Sequence, residues 1–355
     1  MINPLAEAVQ ARRFCYVVEL VASAMKREAQ VLEIAASLAT MPEIVAGSVT
    51  SYAGGRFGQD PLRVATAVRA RGLAPNIHLT CVNDDRRKIL SNLKVLNALQ
   101  LFNVFALTGD YPAESQSKPV FDLDSVQLIA LIARMRADSG IPFHVATAVS
   151  PFKYAREDCL YQYLKLEKKV AAGANLAITQ VGWDARKFVE LKRYLDERAI
   201  GVPVLGNVYV LGRRAAERMA KGLPPGCWAS PALVETIRKE SEAPDGGLEA
   251  RLERAARTIA VLKGLGYAGA YIGGTHDADH IAHIIARAQE LEPQWQECAG
   301  QLQFGQTGGF YRLGSGKGIR GFQNKLQSAK SHHYPKQITR ARTERSGHHD
   351  QQKYT

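Results

Sequence analysis

Short apolar runs recur along the chain at Phe14–Leu20, Glu43–Val49, Asn76–Cys81, Asn103–Gly109, Phe143–Val149, Leu176–Gly182, Val202–Val210 and Gly269–Gly274, and each ends in a polar or glycine-rich corner. Runs of this length bounded by turn residues predict buried strands. A stretch with apolar residues at helical spacing follows most of them. Asp60 is placed to cap Pro61–Arg71, which has Pro at its first position. Asp85–Gln100 carries Ile89, Leu93, Leu96 and Leu99 on one face, and Asp124–Ala137, Asp184–Arg198, Arg213–Lys221, Leu248–Leu265 and Ala278–Leu291 are similarly amphipathic. Glu157–Ala172 ends on Gly173, a suitable residue for leaving a helix. Pro224–Gly226 and Ala243–Gly247 interrupt the seventh unit and predict a longer return, with an extra helix at Pro231–Glu240. Eight β-then-α units predict an α/β protein, a (β/α)8 TIM barrel, with its chemistry at the C-terminal ends of the strands. Those ends carry Glu19, Thr50, His78, Asp110, Gln180 and Asn207.

The chain has 355 residues, enough for one barrel of roughly 250 residues with length to spare. The periodic pattern stops after Pro293. The division expected is a barrel over 1–304 and a Gly-rich, then basic tail over 305–355, which is too poor in apolar residues to fold. Charge sharpens that division. Of the net +12, the segment from Arg312 to Thr355 contributes +8 (ten Lys/Arg, two Asp/Glu), leaving +4 for the other 311 residues. The basic character therefore belongs to the tail, which allows weak, non-specific contact with acidic partners but no nucleic-acid face on the barrel. Five scattered cysteines without C-x-x-C spacing argue against a disulfide framework and a structural zinc. No run approaches the roughly 18 apolar residues of a membrane span. The N-terminus lacks the anatomy of a signal peptide, so a cytoplasmic protein without membrane contact is expected.

The candidate chemistry lies at the predicted mouth. Leu107-Thr108-Gly109-Asp110 ends a strand in a tight corner with a carboxylate on its rim, which suits either a helix cap or a ligand contact. His78 lies within a strand, either satisfied in the core or facing the mouth. Gln180 ends its strand with an amide able to donate and accept together. Glu19 is either a rim ion pair or a general acid. A carboxylic acid that donates near neutral pH needs a raised pKa, from burial and from a like charge such as Asp110. His276, His280 and His283 have helical spacing, but a polar helix start with surface histidines explains them without a metal, and none is assigned.

Taken together, His78–Cys81 (His-Leu-Thr-Cys), Ala106–Pro112 (Ala-Leu-Thr-Gly-Asp-Tyr-Pro), Lys118–Val126, Gly173–Gln180 (Gly-Ala-Asn-Leu-Ala-Ile-Thr-Gln) and Pro203–Tyr209 resemble the methylenetetrahydrofolate reductase family of FAD-dependent barrels, over roughly Phe14 to Gly300. The resemblance implies reduction of 5,10-methylenetetrahydrofolate to 5-methyltetrahydrofolate by NADH or NADPH, ping-pong at one flavin site, in a homo-oligomer. It implies that Glu19 is the acid that protonates N10. Asp110 would lie beside flavin and folate, and Gln180 against the substrate. Thr50, His78, Thr108 and Gly109 would contact the flavin, and Lys168 and Lys169 the FAD phosphates. A pterin-binding barrel that methylates a corrinoid protein, and a non-catalytic barrel subunit, are the alternative readings.

The chain also departs from the family pattern. Leu20-Val21-Ala22-Ser23 replaces the paired prolines many members carry after the acid, and the Val149–Tyr154 loop lacks their Tyr-Pro and His pattern. Ala215 and Met219 replace a substrate-contacting Gln and a gating Phe. Members of the similar divergent branch often continue into a cysteine-rich C-terminal domain, where this chain has the basic tail.

Overall fold

The computed structural model describes residues 3–21, 28–51, 60–110 and 118–312. Ala22 and Ser23, Tyr111 and Pro112, and the expected tail from residue 313 onward lie outside the described residues. Eight parallel strands close into a barrel in sequence order: β1 (Cys15–Leu20), β2 (Ile44–Val49), β3 (Pro75–Thr80), β4 (Asn103–Leu107), β5 (His144–Val149), β6 (Leu176–Thr179), β7 (Val204–Tyr209) and β8 (Gly269–Gly273). β8 pairs with β1, Val17 opposite Tyr271, which completes the ring. Because strand side chains alternate, one set from every strand fills the interior. Val17, Phe105, Ala146, Leu176, Ile178, Leu205 and Tyr271 form that buried core. Glu19, Gln180 and Asn207 stand two residues beyond core residues, on the same face and nearer the strand ends.

The helices form as the sequence pattern requires. α3 (Pro61–Ala70) is capped by Asp60, α4 (Arg86–Ala98) by Asp85, and α7 (Ala185–Glu197) by Asp184, each side chain accepting an N–H of the first turn. α5 (Ser125–Ser139) has a full capping box, with Asp124 and Gln127 bonding reciprocally. α6 (Arg156–Ala171) turns out through Gly173. The longer seventh return holds α8 (Arg213–Ala220) and α9 (Pro231–Glu240) before α10 (Leu248–Gly264), and α11 (Ala278–Leu291) follows β8.

Three helices had no clear signal in the sequence. α2 (Glu28–Ala39) follows β1. α1 (Pro4–Gln10) closes the N-terminal end of the barrel, its Leu5, Ala8 and Val9 joining the interior core. The pattern was expected to stop after Pro293, yet a 3-10 turn (Glu292–Gln294) leads into α12 (Trp295–Gln301), which packs on α10. α12 buries only Cys298 and Ala299, too few positions to read as a period.

The start of the Gly-rich stretch also packs. Phe310 N donates to the Tyr154 carbonyl (2.8 Å), and Tyr311 OH donates to Asp184 Oδ2 (2.5 Å). Lys187 Nζ reaches the Phe310 carbonyl (2.9 Å) and Glu190 Oε1 (3.0 Å), with both charged side chains buried. Tyr154 and Tyr311 turn ring faces toward the Lys187 ammonium, at 5.4 and 4.7 Å. Residues 308–312 thus strap the loop before α6 to the start of α7. All five cysteines are buried and unpaired. Among the described residues no helix is long and apolar enough to cross a membrane.

Candidate active site

Glu19 lies at the mouth end of β1, largely withdrawn from water. Desolvation raises its carboxyl to about 7, opposed by a hydrogen bond from Tyr271 OH to Oε1 (3.4 Å). Space for the carboxylate comes from Gly273 on β8, where a Cβ would stand 3.0 Å from Oε2. A group with this pKa is about half protonated at neutral pH, the condition a general acid needs.

Asp110 sits on the rim after β4. Gly109 makes that corner with φ +90°, and a Cβ there would stand 2.6 Å from Val82 Cγ1, so glycine is required twice over. Asp110 is open to solvent, and the walls of the mouth desolvate its carboxyl enough to raise it above the usual carboxylate range. Repulsion between Glu19 and Asp110 was expected to contribute to both shifts. Burial explains each of them instead.

The Cys227 thiol contacts Gln180 and feels the charges of Glu19 and Asp110. Burial lifts it to about 11, and the charges of Glu19 and Asp110 push it in the same direction. Its Sγ donates to Gln180 Oε1 (3.8 Å), which also accepts Val181 N (2.9 Å). The Gln180 carbonyl oxygen is therefore committed, and its nitrogen is turned toward Gly226, 3.1 Å from where a Cβ there would stand.

The predicted flavin positions divide between two places. Thr108 and Lys168 line one cavity of about 580 Å3 between the end of β4 and helices α5 and α6, with Gln127 and the apolar walls Phe121, Leu123 and Val126. The lining also includes the Asp124 carboxylate, which accepts Gln127 N as the cap of α5; the exposed cation, hydroxyl and amide against apolar walls suit a flavin nucleotide, whose phosphates need the positive charge and whose ring needs the walls. Thr108 Oγ1 also accepts Ser125 N (3.1 Å), tying the cavity to the N-terminus of α5. Thr50 closes β2 with its hydroxyl 3.5 Å from the Leu20 carbonyl. Lys169 faces the barrel wall rather than this cavity. Its Nζ donates to the Ala148 carbonyl (2.6 Å), and burial lowers it to about 8. His78 keeps some accessible surface, yet its ring lies deep enough for desolvation to lower it to about 3. Its Nε2 contacts Ser48 Oγ (3.1 Å) and Tyr271 OH (3.3 Å).

Met219 is buried in a satellite core with Trp183, Leu211, Leu233 and Cys227. Ala215 lines a second cavity with Tyr209, Arg213, Arg214 and Arg251. The histidines of the β8–α11 corner have local partners. His276 Nε2 accepts Val21 N (3.1 Å), His280 lies 3.4 Å from Thr275 Oγ1, and His283 lies 3.7 Å from Glu249. Among the described residues no group of three His, Cys, Asp or Glu could hold a metal ion.

Comparison with known proteins adds a family to this geometry. The profile of the methylenetetrahydrofolate reductase family matches residues 5–240. A probable methylenetetrahydrofolate reductase (NADPH) of Caenorhabditis elegans is 26% identical over 181 residues, 46% of this chain and 26% of that protein. A 5,10-methylenetetrahydrofolate reductase of Buchnera aphidicola is 28% identical over 138 residues, 39% of this chain and 44% of that protein. The matched region is thus less than half the length of either relative. A Clostridium thermocellum protein, solved with two copies of 5-methyl-5,6,7,8-tetrahydrofolic acid, shares the fold at TM-score 0.54 and 11% identity, over 82% of this chain and 99% of its own. With well over half of its residues inside the family match, the chain belongs to the methylenetetrahydrofolate reductase family.

Proposed function

We propose that this protein reduces 5,10-methylenetetrahydrofolate to 5-methyltetrahydrofolate with a reduced nicotinamide. The observation that carries this reading is a half-buried carboxyl, Glu19, raised to about 7 by desolvation and hydrogen-bonded by Tyr271 at the mouth of a barrel of this family, where Cys227 contacts Gln180 and feels the charges of Glu19 and Asp110. FAD is the cofactor the reading requires. Thr50, Thr108, Gly109, Asp110 and Lys168 would hold it, while His78 and Lys169 are committed to contacts of their own. When bound, flavin would supply the hydride chemistry between nicotinamide and folate, in two half-reactions.

The residues of the chain do the rest. Lys168 offsets phosphate charge. A carboxylate at Asp110 would disfavour an anionic reduced flavin held next to it and can accept N–H groups of a pterin. The Gln180 nitrogen donates to the substrate. As hydride adds to the methylene carbon and the carbon–N10 bond breaks, the electron pair left on N10 takes the Glu19 proton. The resulting Glu19 carboxylate is reprotonated from solvent before the next turnover.

Stopped-flow measurement of the separate half-reactions tests the assignment. Glu19→Gln keeps the shape of the side chain and removes the acid. Flavin reduction by nicotinamide should stay near the parent rate, whereas folate reduction should fall by roughly 10²-fold or more. Folate reduction at the parent rate in Glu19→Gln would refute the role given to this residue.

A further inference from the structure

Beneath Glu19 the barrel interior carries a continuous polar chain that crosses four strands. Asn76 Nδ2 on β3 donates to Ser48 Oγ on β2 (3.0 Å). Ser48 Oγ lies 3.1 Å from His78 Nε2, His78 Nε2 lies 3.3 Å from Tyr271 OH on β8, and Tyr271 OH lies 3.4 Å from Glu19 Oε1 on β1.

We propose that Tyr271 is the positioning residue of Glu19: a phenol held by His78 and Ser48 that gives its one proton to Glu19 Oε1 and so sets the carboxyl's place and its hold on a proton. This inference rests on the reading of Glu19 as the proton donor.

Proton counting fixes the direction of the chain. Burial keeps the His78 imidazole neutral, so its Nε2 either accepts or donates. If Nε2 accepts, its single lone pair goes to the nearer hydroxyl, Ser48 at 3.1 Å rather than Tyr271 at 3.3 Å, and the Tyr271 proton is left for Glu19. If Nε2 donates, it offers Tyr271 no lone pair, and the phenol proton again goes to Glu19. Either tautomer gives the same result. Tyr271 cannot be the acid itself, because burial and the Glu19 charge push its hydroxyl well above the ordinary phenol range. Its effect on Glu19 opposes burial: donation favours the carboxylate, whereas desolvation favours the acid.

Other groups also face Glu19 among the described residues. Tyr209 approaches from β7 and Cys227 from the loop before α9, both raised mainly by burial and further by the Glu19 charge. His276 is bonded to the backbone just after β1. For Glu19 itself, Tyr271 is the side chain whose hydrogen bond shifts the titration.

The test is an infrared titration of the carboxyl band in the flavin-loaded protein, with Glu19→Gln to assign the band. Tyr271→Phe should raise the midpoint by about one pH unit, a tenfold tighter hold on the proton, on the scale of one hydrogen bond to a charged group. The alkaline limb of folate reduction should move by the same amount, while flavin reduction by nicotinamide keeps its pH profile. Site-specific 3-fluorotyrosine at position 271 is the second probe: it keeps the shape, its more acidic hydroxyl donates more strongly, and the midpoint should fall. A Tyr271→Phe midpoint equal to that of the parent would overturn the proposal. If Tyr271→Phe does not fold, an unchanged midpoint with 3-fluorotyrosine at 271 would overturn it. A midpoint that rises in a protein unable to reduce folate would support the Tyr271–Glu19 link and refute the functional reading alone.

Discussion

A carboxyl held at about 7 should leave a mark on stability as well as on catalysis, and Glu19→Gln exposes it. The unfolded chain returns Glu19 to its ordinary value of 4.5. Between 4.5 and about 7 the folded protein binds a proton that the unfolded chain has released. Folding is therefore unpenalised by this group below 4.5 and loses stability as pH rises through that window, reaching the full cost above about 7. At about 1.36 kcal/mol per unit the gap corresponds to about 3 kcal/mol above pH 8 and to less than about 1 kcal/mol at pH 5. Glutamine has the same shape and no charge to desolvate. Urea denaturation of parent and Glu19→Gln at pH 5 and pH 8, in matched salt and with the same flavin content, measures the difference. The variant should gain about 2.5 kcal/mol on the parent between the two pH values. Equal stability differences at pH 5 and pH 8 would mean that Glu19 titrates normally in the folded protein. Its fitness as a proton donor near neutrality would then lose its physical basis.

Two further predictions concern the strap. Lys187→Met should destabilise the fold by roughly 3–5 kcal/mol in urea, because Glu190 is left buried without its cation, and Lys187→Met/Glu190→Met should recover part of that loss. A chain ended after residue 316 should keep the barrel and its turnover. One ended after residue 304 should lose roughly 2 kcal/mol or more in the same assay, since the Tyr311–Asp184 and Phe310–Lys187 contacts go with it.

What the sequence revealed depended on repetition. Eight strand runs and their helices repeat one pattern of burial, and the seventh return with α9 at Pro231–Glu240 could be read from its interrupting Pro and Gly residues. Elements that appear once were harder to see. α12 has two buried positions, and α1 stabilises the barrel by covering its end rather than by a long apolar face. The strap shows the same limit more sharply. Glycine-rich composition predicts an unfolded segment, but Phe310, Tyr311 and Arg312 find a ready-made pocket in Tyr154, Asp184, Lys187 and Glu190. That pocket is assembled from a loop and a helix more than a hundred residues earlier, and no local property of the segment announces it. Lys169 illustrates the reverse case. Its neighbour Lys168 and the family resemblance suggest a phosphate contact, yet one step along a helix turns a side chain by about 100°. Lys168 faces the cavity and Lys169 the wall of β5.

The site depended on closure of the ring. Glu19 and Tyr271 are 252 residues apart, and neither is unusual in its own strand. Register brings them together: Tyr271 pairs with Val17, so Glu19, two residues further along β1, stands on the same inner face one step nearer the mouth. The same parity places Ser48 beside His78, and His78 within reach of Tyr271. In an open sheet β1 would be an edge strand, and its glutamate would be solvated with an ordinary carboxylate pKa. Pairing β8 with β1 removes the water, and Gly273 leaves the carboxyl room at the seam. The pKa of about 7 is therefore a property of the closed barrel rather than of any motif around residue 19. That is why the family resemblance could point to Glu19 as an acid while the phenol proposed to position it stayed hidden until the last strand was in place.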